Sequence, residues 1–104
     1  MRVMFLANYA PHAMKGLLAG SDREAAMKTS FESVGGKFTG IAFTRGKYDV
    51  VVSGEVPNEA ASMGLAMAVR ASGSVSDLSV LEELDIKAII SEGNKAVKAY
   101  KPAG

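Results

Sequence analysis

The sequence predicts an α+β fold in the order strand, helix, strand, strand, helix, strand, with a further helix at the C-terminal end. Three observations predict it. Strand-like runs at Arg2–Tyr9 and Tyr48–Val56 are apolar on both faces, a two-residue turn signal (Gly46-Lys47) separates two strand patterns, and helix-period stripes follow the first and third strands. At 104 residues the chain is the length of one domain, drawn as residues 1–104 with 84–100 as a C-terminal helical extension.

In the first strand, RVMFLANY, Val3, Phe5, Ala7 and Tyr9 point one way and Met4 and Leu6 the other, which places it centrally with cover on both sides. Pro11 opens a turn-like or loosely helical stretch that runs to Gly20. A clearer helix follows, with Ser21 read as N-cap and Glu24 completing a capping box. Met27, Phe31 and Val34 make its buried stripe, and Gly35-Gly36 its left-handed stop. Lys37–Arg45 and Tyr48–Val56 read as a hairpin closed by a type II′ turn at Gly46-Lys47. The consecutive Val50, Val51 and Val52 make its second strand apolar on both sides.

Asn58 caps the next helix, in which Ala60–Val69 contains one polar residue, Ser62. A helix apolar all round needs cover beyond its own sheet. Gly73 ends it, and Ser74–Leu84 alternates as a strand with Leu78 and Val80 opposite Leu81. Asp85 caps the last helix, whose apolar stripe is Ile86, Ile89, Ile90, Ala96, Val97 and Tyr100.

The order βαββαβ is the ferredoxin-like arrangement, an antiparallel sheet with both helices on one face. The first and third strands, the most apolar, are expected at its centre and parallel to each other. The opposite sheet face is then apolar and bare in a lone protomer, which is unusual for a soluble chain. Face-to-face packing of two copies covers it, so a homodimer or higher homo-oligomer is expected. The rival is the last helix folding over that face.

Twelve Lys and Arg against 11 Asp and Glu give a net charge of +1, so nothing electrostatic points to nucleic acid or an anionic membrane. With zero cysteines there are no disulfides, thiolate metal sites or thiol nucleophiles. The apolar run Val3–Ala7 is short for a signal peptide, and no stretch approaches the roughly 18 apolar residues of a membrane span. A cytoplasmic location is expected.

The segment FTRGKYDVVV carries Gly46, Tyr48 and Asp49 in a Gly-x-Tyr-Asp pattern at the hairpin. With the strand ending Asn8-Tyr9, the Gly35-Gly36-Lys37 turn, and an Ala-rich helix leading into Gly73-Ser74-Val75, the chain resembles the GYD-domain proteins to about Leu81. The resemblance implies a dimeric α/β barrel, the paired-sheet assembly already expected. It implies no single activity, because the wider superfamily includes cofactor-free monooxygenases, isomerases and effector-binding modules.

Candidate chemistry is sparse. His12, the one histidine, is a candidate proton acceptor at the end of the first strand, against a surface or structural role. Tyr48 and Asp49 are adjacent on a strand pattern and face opposite sides, so they make no acid–base pair. Either one of them lines a cleft with Tyr9, Asn8 and His12, or Asp49 bonds hairpin backbone or Arg45 while Tyr48 packs. Arg45 and Lys47 suit a carboxylate ligand, or are solvated hairpin charges. No metal cluster, phosphate loop or nucleophile elbow is present in the pattern, so no metal or cofactor is expected. Three functions remain: a small-molecule-binding module, a cofactor-independent oxygenase or isomerase, and an assembly protein.

Overall fold

The computed structural model describes residues 1–104. Its elements are β1 (Arg2–Tyr9), α1 (Pro11–Leu18), α2 (Arg23–Ser33), β2 (Lys37–Phe43), β3 (Val50–Glu55), α3 (Glu59–Ala71), β4 (Val75–Glu82) and α4 (Ile86–Ala99). The strands form one sheet in the order β2-β3-β1-β4, with every neighbouring pair antiparallel. This corrects the expected parallel run of the first and third strands. The helical crossover returns β2 parallel to β1, the hairpin then reverses the chain, and β3 has to oppose β1.

Local chemistry explains the boundaries. The stretch after Pro11 is a regular helix, α1, with the proline in its first turn, where a missing N–H costs nothing. α2 is capped by Asp22 rather than Ser21: the Asp22 carboxylate accepts from the Ala25 N–H at 3.0 Å, while Ser21 Oγ accepts from Arg23 Nε. The capping box therefore does not form, and Glu24 serves only as a first-turn acid beside the helix dipole. Asn58 and Asp85 cap α3 and α4 as expected, accepting from Ala61 and Ala88 N–H.

The hairpin keeps its predicted register, with Phe43 opposite Val50. Its strands nevertheless stop there, and residues 44–49 form a loop in which Gly46 has φ 143°, well beyond the roughly +60° of a type II′ turn. Thr39 is an extra residue in β2, between the pairs Phe38–Gly54 and Gly40–Ser53.

Phe31 of α2 is the centre of the core, 0% exposed, edge-on to Phe5 and tilted against Phe38. Its ring lies directly on the backbone of Gly54, where a Cβ would come within 2.3 Å of it. Val3, Phe5, Ala7, Val50, Val52 and Leu65 complete the layer between the sheet and α2 and α3. The other sheet face carries Met4, Leu6, Val51 and Leu81, and no helix covers it; Met4 is 40% and Leu81 55% exposed.

α4 does not fold over that face. None of its residues is buried, and it projects from the end of β4, stretching the molecule to 58 Å. The radius of gyration is 17.5 Å, against about 13 Å for a compact chain of this length. The accessible surface is 7187 Å² for 10.8 kDa. A compact monomer of that mass exposes about 5,500 Å².

Candidate functional site

Two polar constellations sit at the same end of β1, one on each side of the sheet. On the helix side a cavity of about 250 Å³ opens between α2 and α3, floored by Phe5, Ala7, Val50 and Val52. Met27 and Ala26 of α2 form one wall and Ala68 and Val69 of α3 the other. Polar groups are few: Tyr9 from the end of β1, Arg23 from the first turn of α2, and the serines 30, 72 and 74. Ser30 and Ser72 spend their hydroxyls on the carbonyls of Ala26 and Val69, so their polarity is turned back into the backbone.

The phenol of Tyr9 holds its proton more tightly than usual. Burial pushes its phenol above the ordinary 10.0, the Asp49 charge adds to this, and Arg23 opposes it. At neutral pH the cavity therefore presents a phenolic O–H beside a guanidinium: one group that donates or accepts, and one that donates only.

Asp49 joins the two sides. Its N–H donates to the Ala7 carbonyl at 3.0 Å, its carbonyl accepts from Thr44 N–H, and its carboxylate accepts from the Tyr9 N–H at 2.9 Å. The side chain thus supplies an acceptor for β1 where β3 has already left the ladder. It does not pair with Arg45, which is exposed and makes no ion pair.

Tyr48 crosses to the bare face. Strand alternation would put it beside Val50, but it lies outside β3, and its hydroxyl meets Ser79 Oγ at 3.0 Å on the side of Leu6. The Lys47 ammonium stands 5.6 Å from the Tyr48 ring centroid. Asn8 Nδ2 donates to the Lys47 carbonyl and to Asp77 Oδ1, both at 2.9 Å, pinning the loop to the sheet end. Gly46, Tyr48 and Asp49 therefore serve one task between them: a backbone bend, a latch on the bare face and a strand-end acceptor.

The candidates named from the sequence do not converge on one pocket. Tyr9 lines the helix-side cavity; Asn8 and Tyr48 lie on the opposite face; His12 is exposed on the first turn of α1, its ring beside Gly73. Sequence reasoning missed Arg23, Ala68 and Ser72 as cavity residues, and Asp77 and Ser79 as loop anchors. Arg23 was within reach, since it lies four residues before Met27 on the stripe already recognised in α2.

No curated protein matches the chain in a direct sequence comparison. The family model described as GYD domain matches residues 4–91, which take in most of β1, all of β2, β3 and β4, and the hairpin with Gly46, Tyr48 and Asp49. The chain belongs to the GYD-domain family.

Proposed function

We propose that the protein is a binding module for a small, largely apolar molecule, and that it works as a homodimer paired through the bare sheet face. The cavity between α2 and α3 carries this reading: 11 of its 15 lining residues are hydrophobic, Tyr9 among them, and the Tyr9 hydroxyl and Arg23 are its directional polar groups. At about 250 Å³ it lies just under the roughly 300–1,000 Å³ of drug-sized sites, so the ligand is small. An apolar body with a carboxylate or enol oxygen suits it, the oxygen turned to the phenol and the guanidinium.

The dimer half of the reading is supported by the apolar patch of Met4, Leu6, Val51 and Leu81 that no helix covers, with Met4 and Leu81 exposed and Leu6 and Val51 half-buried. Pairing of sheets would also cover the Tyr48 latch.

Thermal melting against a panel of small aromatic and branched aliphatic acids tests the binding. A member of the panel should raise the melting temperature of the native chain and fail to do so for Ala68→Phe, which fills the cavity. A panel-wide absence of any shift, or equal shifts in both proteins, removes the proposal. Sedimentation tests the dimer: Val51→Lys should lower the assembly size in a protein that still melts cooperatively, and a native chain monomeric at high concentration would refute it.

A further inference from the structure

We infer that α4 is an arm that docks on a second copy of this chain, in the groove between the outer side of α3 and β4. This contact is separate from the ligand cavity and from the bare sheet face, and it depends on neither.

The arm is built for burial. Ile86, Ile89, Ile90, Ala96, Val97 and Tyr100 all fall within a stripe about 120° wide, with Gly93 at its middle. Yet Ile86 is 58%, Ile90 53% and Val97 75% exposed. Gly93 weakens such a helix relative to Ala, and a Cβ built there would meet nothing within 4 Å. A missing side chain in the centre of an apolar stripe is useful where another backbone approaches closely; against lipid it would only lose buried area.

A surface of matching character exists on the same chain. The outward side of α3 shows Ala60, Met63, Gly64, Met67 and Ala71, with Met63 58% and Met67 71% exposed and nothing within 4 Å of a Cβ at Gly64. Between it and β4 runs a groove of about 740 Å³, lined by Met63, Ala66, Met67 and Val80. Glu59 and Glu82 stand at one end of it and Arg70 toward the other. α3 and α4 are 13 and 14 residues long, so the arm matches the length of its groove. Laid antiparallel to α3, α4 brings Lys98 and Lys101 to the acidic end and Asp85 toward Arg70.

The arm does not reach its own groove, because its exit is pinned. Beyond β4 the Glu83 N–H continues the ladder to the Arg2 carbonyl at 2.8 Å. The Glu83 carboxylate accepts from both Arg2 N–H and Arg2 Nε, the latter at 2.7 Å. The chain therefore leaves along the strand direction, with Leu84 and Asp85 left before the helix starts. The occupant of the groove is the α4 of another molecule.

The absence of cysteine makes the test direct. Met67→Cys and Ile90→Cys are made in separate chains, one carrying a mass tag, then mixed and oxidised. A disulfide joining the two different chains is expected, and none when Lys95→Cys, on the polar side of α4, replaces Ile90→Cys. Light scattering should show Ile90→Glu lowering the assembly size while Lys95→Glu leaves it unchanged, both melting as the parent does. An intrachain disulfide in the Met67→Cys/Ile90→Cys double variant with no mixed product would overturn the proposal. So would the lack of any mixed disulfide; α4-dependent sedimentation on phosphatidylcholine–phosphatidylserine vesicles would then make the arm a membrane anchor.

Discussion

The two faces of this sheet are built from alternate residues of the same strands, yet they differ in what they can tolerate. Val3, Phe5 and Ala7 lie against helices at 2 to 5% exposure, while their neighbours Met4 and Leu6 look outward with no helix over them, Met4 exposed and Leu6 half-buried. The helix-side layer is closed around Phe31, with three aromatic rings in contact and a glycine backbone beneath. The outward layer has apolar side chains without that interlock. Composition and partnership both differ: one face is largely apolar and is completed within the protomer, while the other mixes Met4, Leu6, Val51 and Leu81 with Asn8, Ser53, Asp77 and Ser79 and has no helix over it.

Substitutions on the two sides should separate accordingly. Phe31→Ala should be the most damaging, costing about 3–5 kcal/mol in denaturant unfolding, since the void cannot collapse against a sheet. A cost below about 1 kcal/mol would mean that the helix-side layer is no better packed than the other. Next is Asp49, which stands between the faces. Asp49→Ala leaves the Tyr9 N–H without its charged acceptor and should cost about 1.5–3 kcal/mol. Tyr48→Phe removes a neutral hydroxyl pair at the bare face and should cost about 0.5–1.5 kcal/mol.

The smallest effects are those of pH. The fold favours the neutral phenol of Tyr9, so its contribution is complete below the ordinary value and is lost as pH rises through the higher folded value. The absorbance change that disappears in Tyr9→Phe should therefore be centred above 10.0, and higher still with the cavity filled. Glu83 behaves in the opposite sense. The hydrogen bond from Arg2 holds its carboxyl below the usual range, so its contribution is present above 4.5 and fades as pH falls through the folded value. Acid titration of Glu83→Gln should lack that component.

Much of the architecture could be read directly. Asn58 and Asp85 announce helix starts, Gly35 a helix end (φ 76°), and the consecutive valines a central strand. Ser21 and Asp22 are both good caps in adjacent positions, and nothing in the local pattern ranks them. The candidate site was far less legible. Alternation placed Tyr48 with Val50, but parity holds only while the chain remains a strand, and β3 starts at Val50. The cavity is a gap between α2 and α3, set by how far apart two helices settle on a sheet. Each helix shows its own apolar stripe, and neither records its distance from the other.

The contact between Phe31 and Gly54 ties together positions 23 residues apart in sequence. A methyl group at 54 has nowhere to go while the ring is present, so Gly54→Ala should be severe alone and much milder combined with Phe31→Leu. A double-mutant cycle on the pair should show strong non-additivity. The two positions thus change together or not at all, and for a designer wishing to enlarge or reshape the interior of this protein they amount to a single dial.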